Sequence, residues 1–315
     1  GLTALAASLV SVSAANAGSL SVTGAASIGI NGYSGTGNVD KPTSFTMGDQ
    51  FTVSGGGEMD NGMNVSISFQ MDGQIMDDHS VTVSSDEMGT LKFSGHGGSS
   101  ATTSVDGSVA GDIWDGFDGA STLAVGTTGV ALKDSAPGDN SIFYTLPSVM
   151  DGLSVFTSYN PQEGGVNESE LGYGATYTGV EGLSVSYATT DINSGTTATS
   201  GDHNAWKATY AYGPITVGAS NMDHDTGTDT SDIEMSSYSI AYTVSDELSV
   251  SYGVEEISRG GSSNTTDAEY SAVVVAYTSG GLTLTGKMEE AENVDNTTAA
   301  NADQEYWFLG AAFAF

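Results

Sequence analysis

The chain has 315 residues, with 39 Asp and Glu against six Lys and Arg, so its formal net charge is −33. A negative charge of this size repels phosphate backbones and excludes nucleic-acid binding, while it attracts cations. The 43 glycines, five prolines and absent cysteines suit many short strands joined by tight turns, without disulfides to stabilise them.

The first segment, residues 1–17, is uncharged and apolar and ends in small residues around Ala15 and Ala17. This composition is typical of the remainder of a cleaved secretory signal, with the mature chain starting at Gly18. A membrane anchor is the weaker alternative, because the apolar part is too short to span a bilayer. We therefore expect one exported β domain over residues 18–315.

From residue 18 onward, apolar and polar residues alternate with a period of two, as in "NVSISFQMD" from Asn64. Successive side chains of a strand point to opposite faces, so each such segment has one apolar face and one polar face. The alternation predicts about sixteen strands. They are expected near residues 19–31, 47–57, 64–72, 79–85, 90–97, 140–146, 153–160, 170–178, 183–191, 203–212, 215–222, 233–244, 248–257, 269–278, 282–291 and 304–315.

Two architectures fit this alternation. A soluble sandwich buries its apolar faces in a core, whereas a membrane barrel turns them to lipid and leaves a polar lumen. The polar set here is mainly Ser, Thr, Gly, Asn and Asp, which favours a wide water-filled tube. Aromatic residues near the ends of the segments suit the aromatic girdles that membrane proteins carry at the two membrane–water interfaces. The alternative is that these rings pack in an ordinary protein core. We predict an all-β, transmembrane, antiparallel up-and-down β-barrel. The aromatic residues in question are Tyr144, Tyr159, Tyr187, Tyr252, Tyr306 and Trp307.

Catalytic motifs are missing from the sequence. The four histidines form no His-Glu-x-x-His pair, and no Gly-x-Ser-x-Gly elbow occurs, so we predict that the protein is not an enzyme. Two acidic stretches offer oxygen ligands that suit a structural calcium ion, while solvated loops are the other interpretation. They contain Asp77 and Asp78 in "MDDHS", and Asp223 and Asp225 in "MDHDTGTDTSD". No other cofactor is expected.

Three stretches resemble the general bacterial porins, which are trimeric outer-membrane channels, and most closely their alphaproteobacterial branch. "GSLSVTGAASIGI" from Gly18 is similar to the first strand of the family. "NSIFYTLPSVMDGLSV" from Asn140 is similar to the sixth and seventh strands around a short periplasmic turn. The last strand, with Phe313 and Phe315, is similar to the signal read by the barrel assembly machinery. It is also expected to close the barrel against the first strand near Leu20 to Ile30.

The resemblance implies a homotrimer in the outer membrane of a Gram-negative bacterium, in contact with lipids and lipopolysaccharide. It implies passive diffusion of small hydrophilic solutes and ions through a water-filled channel. An exported structural or adhesive surface β-protein without channel activity is the alternative, although the uneven spacing of the segments does not favour a solenoid.

The resemblance also implies a long third loop, residues 98–139, that folds into the lumen and narrows the pore. This loop contains Asp106, followed by Asp112, Asp115 and Asp118 at intervals of three. A helical turn over residues 112–118 would place these three carboxylates on one face, where they would concentrate cations in the constriction. A solvated acidic loop on the outer surface is the alternative.

The family opposes its acidic loop with a basic cluster on the barrel wall, and here the match breaks down. Phe143 stands where many relatives carry an arginine. Alternation places Lys92, Lys207 and Lys287 on the lumen face. Lys92 lies on the strand that leads into the loop and is the best expected base of the constriction, with His96 on the same face as the second. Because three lysines cannot balance so many carboxylates, we predict a cation-selective pore.

Overall fold

A computed structural model describes residues 19–35, 38–42, 45–73, 75–117, 140–161, 169–193, 200–228, 230, 232–261, 266–298 and 302–314. The expectations for the signal segment 1–17, for Asp118 and for Phe315 lie outside the described residues. Of the third loop, the structure describes the part up to Phe117.

The described residues form seventeen strands and two short 3-10 helices, Ile113–Phe117 and Val294–Asn296. The strands are β1 (Ser19–Gly35), β2 (Asn38–Pro42), β3 (Thr46–Glu58), β4 (Asn64–Asp72), β5 (Ile75–Ser85), β6 (Gly89–His96), β7 (Ser141–Thr145), β8 (Leu153–Asn160), β9 (Glu170–Tyr177), β10 (Leu183–Ile192), β11 (Gly201–Tyr212), β12 (Ile215–Thr226), β13 (Ile233–Thr243), β14 (Leu248–Arg259), β15 (Ala268–Ser279), β16 (Leu282–Glu292) and β17 (Gln304–Ala314).

The strands form one closed antiparallel sheet. From β3 to β17 each strand pairs with the next along the chain, and β17 returns to β1 over the register from Ala25↔Ala314 to Gly35↔Gln304. β2 pairs with the far end of β1, while β3 pairs with its first half, so β2 and β3 together fill one place in the sheet. The result is a sixteen-strand barrel without a free edge, as predicted from the alternation. The last strand pairs further along β1 than the expected Leu20 to Ile30.

The two ends of the barrel differ in the length of their connections. At one end, which we call the turn end, short turns join the strands, for example residues 86–88 and 213–214. Gly182 lies in such a turn with φ 76°, and a Cβ there would collide with the carbonyl oxygen of Ala211. The turn therefore requires glycine at this position. The opposite end, which we call the loop end, carries the long connections, including the third loop.

The large apolar side chains of the strands point outward. Leu309 and Tyr238 are 59% and 60% exposed, and both stand on the outer face. Their strand neighbours on the inner face are small or polar, such as Ser237 beside Tyr238. The described residues contain no helix long and apolar enough to cross a bilayer. An outward apolar band around a polar interior is the pattern of a transmembrane barrel.

Carboxylates end this apolar band at the loop end of β10 to β17, and we call this row the acidic band. Cross-strand pairing places Glu256 opposite Glu269, Glu269 opposite Glu292, and Glu290 opposite Glu305. Charged side chains are disfavoured against lipid tails, so the band marks one edge of the hydrophobic zone. Its members are Asp191, Asp202, Asp223, Asp225, Glu234, Glu256, Glu269, Glu290, Glu292 and Glu305.

Candidate pore constriction

The third loop turns into the barrel immediately after β6. Its first residue after the strand, Gly97, has φ 66°, a conformation that favours glycine. A helical turn follows, in which Asp106 N donates to Thr102 O at 2.8 Å. At the far side of the loop, Asn140 N donates to Gly95 O at 3.4 Å, so the two ends of the loop lie together at the rim.

Small polar side chains of the inner wall hold the beginning of the loop through its backbone. Ala101 N donates to Ser158 Oγ on β8 at 2.8 Å, and Thr102 N donates to Thr190 Oγ1 on β10 at 3.3 Å. Ala101, Ser158, Thr102 and Thr190 are all buried. The loop needs this close approach to satisfy its backbone donors, because water is displaced from the contact.

The middle of the loop continues along the same wall. Val109 N lies within hydrogen-bond distance of two hydroxyls, Ser220 Oγ on β12 at 3.1 Å and Ser237 Oγ on β13 at 3.3 Å. The wall is thinned at this height by Gly218, where a Cβ would lie 2.9 Å from the Val109 Cβ. Glycine on the inner face therefore leaves the space that the loop fills.

A buried glutamate of β14 holds the 3-10 helix Ile113–Phe117. The carboxylate of Glu255, which is 2% exposed, accepts hydrogen bonds from Ile113 N and Trp114 N, both at 3.0 Å. Two donors on one carboxylate form a charge-assisted clamp on the first turn of this helix. The clamp therefore holds the 3-10 helix against β14.

The end of the 3-10 helix reaches the strands that close the barrel. Phe117 is buried, and its ring lies 5.8 Å from that of Tyr270 on β15 and 6.2 Å from that of Tyr306 on β17. Tyr33 on β1 donates its hydroxyl proton to Gly116 O at 2.8 Å. Together with the contacts on β8 to β14, these bonds carry the loop along the inner wall from β8 round to β1.

One group of charges lies in the middle of the loop. Asp112 has φ 51°, and its Oδ1 accepts a hydrogen bond from Ser108 N at 2.9 Å. A Cβ on Gly107 would stand 3.3 Å from Lys207 Nζ and 3.7 Å from Asp112 Oδ2, so the ammonium and the carboxylate lie against the same turn. Lys207 interacts electrostatically with both Asp112 and Asp106. The wall lysine therefore faces two carboxylates of the loop.

A second group of charges lies on β16, beside the last described residues of the loop. Lys287 Nζ and Glu289 Oε1 form an ion pair at 3.5 Å, in which the lysine is partly exposed and the glutamate is buried. Asp115 is exposed and adds its charge to that of Glu289. Tyr306 borders the group. A cavity of ≈ 380 Å³ opens between residues 108–113 of the loop and this part of the wall.

The structure separates two aspartates that the sequence analysis expected on one helical face. The 3-10 helix begins at Ile113, and both Gly111 and Asp112 have positive φ values, 97° and 51°. These conformations break the turn before the helix, so Asp112 turns toward Lys207 and Asp115 toward Glu289. The two carboxylates thus belong to two separate groups of charges.

The inner face carries the three lysines, as the alternation indicates, but they differ in their neighbours. Lys207 is the lysine that the structure brings to the loop aspartates. Lys92 lies on β6 between Thr82 of β5 and Phe143 of β7. Phe143 also faces inward, and its ring stacks on that of Phe156 at 5.4 Å.

The four aspartates expected as metal ligands are found in two different settings. Asp77 and Asp78 lie at the rim beside His96, whereas Asp223 and Asp225 lie on β12. The pairing of β5 with β6 shifts register between His79 and Ser80, so simple alternation no longer assigns a face to His96. His96 Nδ1 instead lies 3.4 Å from Asp78 Oδ1 and 3.9 Å from Asp77 Oδ1 at the rim.

Asp223 and Asp225 belong to the acidic band on the outer face of β12. Asp223 Oδ2 accepts a hydrogen bond from Asn204 Nδ2 at 3.2 Å, and its cross-strand neighbour is Glu234. In the part of the chain that the structure describes, the one group of three side chains with convergent ligand atoms is Asp77, Asp78 and His96.

Four wall residues at the constriction were missed in the sequence. On β14, Glu255 is two residues from the inward Gly253, and on β16, Glu289 is two residues from the inward Lys287. Because residues two apart in a strand share a face, alternation would have placed both carboxylates inside. Tyr33 lies beyond the first predicted strand, residues 19–31, and Tyr306 was expected as a girdle residue. Their contacts with the loop depend on how the loop folds, and no local pattern announces them.

Comparisons with known proteins agree with this architecture. The model of the Gram-negative porin family matches residues 1–272. No curated protein matches the sequence. A porin structure refined at 1.8 Å resolution is similar in fold, with a TM-score of 0.67 and 16% identity, over 94% of this chain and 100% of that one. A mutant of the Rh. blastica porin gives a TM-score of 0.65 and 18% identity over the same shares. The chain belongs to the Gram-negative porin family, whose members are outer-membrane β-barrel channels and not enzymes.

Proposed function

We propose that this porin is a cation-selective channel for the passive diffusion of small hydrophilic solutes and ions, with the third loop, residues 98–139, as its constriction. One observation carries the proposal. The part of the loop described by the structure, up to Phe117, lies along the inner wall, where Asp106 and Asp112 face Lys207 and Asp115 lies near the ion pair of Glu289 with Lys287, so that carboxylates outnumber lysines in this described lining. Fixed carboxylates in a narrow, poorly screened passage raise the local concentration of cations. Diffusion through such a pore needs no cofactor.

The reversal potential of the channel in a planar bilayer with a KCl gradient tests the proposal. Permeability should favour potassium, and the double change Asp112→Asn with Asp115→Asn should reduce this preference. Glu256→Gln is the matched control, since it removes a carboxylate from the outer face instead of the lumen. A preference of the native channel for chloride would contradict the proposal.

The selectivity should also depend on salt concentration. The Debye length falls from about 10 Å at 0.1 M to about 3 Å at 1 M, so the aspartates act on passing ions over a shorter range in concentrated salt. The same reversal-potential measurement at a fixed gradient and rising mean concentration should show a declining cation preference. A preference that is constant over this range would indicate selection by size rather than by charge.

We further propose a homotrimer that uses the outer face of β3 to β9. Toward the loop end this sector exposes Phe69, Phe93 and Leu171, with Asp49 of β3 among its outward residues, whereas β10 to β17 carry the acidic band. The acidic band is suited to the polar headgroup region of the outer leaflet, including lipopolysaccharide. Phe93→Arg should weaken the trimer in detergent, as measured by size-exclusion chromatography with light scattering. Leu309→Arg on the opposite sector is the control, and equal losses in both variants would remove the support for this interface.

Two parts of the proposal concern export and assembly. Residues 1–17 are proposed as a secretory signal, and Phe313 with Phe315 as the strand-closing signal for the barrel assembly machinery. Removal of Phe315 should reduce the amount of heat-modifiable barrel in the outer membrane. The alternative, an adhesive surface protein without a channel, is tested by the same bilayers: absence of any conductance from a correctly folded, heat-modifiable barrel would favour it.

A further inference from the structure

We propose that Asp77, Asp78 and His96 form a zinc site at the loop end of β5 and β6, at the root of the third loop. His96 is the last residue of β6, and the two aspartates lie on the neighbouring strand β5. Their ligand atoms lie within 4.8 Å of one another. This site is independent of the ion selectivity of the pore.

The distances within the group are compatible with a shared metal ion. His96 Nδ1 lies 3.4 Å from Asp78 Oδ1 and 3.9 Å from Asp77 Oδ1. The closer pair forms a hydrogen bond, which is longer than the usual range of about 2.7–3.2 Å. In a tetrahedral site with metal–ligand bonds of about 2.0–2.1 Å, the ligand atoms are separated by about 3.3 Å. The separation of His96 Nδ1 from Asp78 Oδ1 is thus already close to that of two zinc ligands, and Asp77 lies within reach of the same position.

The kind of donors selects the metal. Calcium takes six to eight oxygen ligands, whereas this group offers one imidazole nitrogen and two carboxylates. Nitrogen together with carboxylate oxygen suits zinc, and three protein ligands leave one position for water. The side chains of His96 and Asp78 are 47% and 45% exposed, so water has access to that position. The net charge of −33 raises the concentration of divalent cations near the site.

The backbone around the group is specialised to bring these side chains together. The register of β5 and β6 shifts next to His79, so that Gly95 is an extra residue between Ser94 and His96. A Cβ on Gly97 would collide with the carboxylate of Asp78, so glycine gives this aspartate its place beside the imidazole. A register shift of this kind redirects a side chain that simple alternation would send elsewhere.

Zinc titration by calorimetry tests the site in the full-length barrel in detergent after treatment with EDTA. The titration is run in millimolar calcium, which occupies oxygen-only sites elsewhere on this acidic protein. We expect one zinc per chain under these conditions. His96→Ala and Asp78→Asn should each weaken binding at least about tenfold, since even the loss of a group behind a ligand costs about 10–100-fold.

His79→Ala is the matched control, because His79 is the cross-strand partner of His96 and belongs to no convergent group among the described residues. It should bind zinc as the native protein does. Heat-modifiable migration in gels checks that every variant is folded, and His96→Gln replaces His96→Ala if the latter is not. The proposal is overturned if a folded His96 variant binds zinc with native affinity, or if calcium abolishes zinc binding.

Discussion

The clamp of Glu255 on the 3-10 helix gives the sharpest prediction about the third loop. In Glu255→Gln, the neutral amide retains one acceptor oxygen, so Ile113 N and Trp114 N can no longer both donate to a carboxylate. One of these buried donors is left without its partner. We therefore expect the 3-10 helix of the loop to detach from the wall more often while the barrel itself remains intact.

The magnitude follows from the two bonds. Hydrogen bonds to a charged group contribute about 1.5–3 kcal/mol each, and a neutral one about 1 kcal/mol. Replacing two charge-assisted bonds by one neutral bond should cost about 2–5 kcal/mol of docking free energy. Each 1.4 kcal/mol corresponds to about a factor of ten in the equilibrium constant. The population of the detached loop should thus rise by about 30-fold to 4,000-fold.

Amide hydrogen exchange measured by mass spectrometry is the direct assay. Peptides covering Ile113 and Trp114 should lose protection by this factor, because exchange there proceeds through local opening. Single-channel recordings should show larger current fluctuations. The control is Glu256→Gln, the adjacent residue on the outer face, which should leave both measurements unchanged. Native protection of residues 113–114 in Glu255→Gln would refute the reasoning.

Three further changes test the same geometry. Lys207→Gln removes the cation that faces the loop aspartates and should raise the potassium preference in reversal-potential measurements; an unchanged ratio would place this lysine outside the ion path. Gly253→Ala puts a Cβ 2.6 Å from that of Ala110, so it should displace the loop and alter the conductance. The control Gly286→Ala meets nothing within 4 Å and should leave the conductance unchanged. Phe117→Ala should destabilise the docked loop by about 3–5 kcal/mol, because it empties a buried aromatic site, and native exchange protection of the loop would contradict this.

Much of the fold could be predicted because a barrel strand repeats every two residues. The positions of the strands and the inward direction of Lys207 and Lys287 follow from that period alone. The period fails where the strands are irregular. His96 lies beside a register shift, and its partners Asp77 and Asp78 are nearly twenty residues earlier in the chain, so their approach could not be read from spacing.

The constriction is predicted less well for a similar reason. The sequence places aspartates in a long third loop, but the backbone between Gly111 and Asp112 adopts positive φ values that no periodicity describes. Asp112 and Asp115 therefore separate toward different partners on the wall. The path of the described part of the loop brought Asp112 to Lys207 rather than to Lys92, and Asp115 to Glu289, the partner of Lys287.

The sequence by itself determined the closed antiparallel barrel, its outward apolar face and its excess of negative charge, because these properties are sums over residues with a fixed local period. Only the tertiary structure decided where the third loop is held, through Ser158, Thr190 and Glu255 on separate strands. Only the structure, likewise, brought Asp78 to His96 across two strands. These contacts join residues far apart in the chain, and their geometry depends on barrel closure, register and loop conformation together.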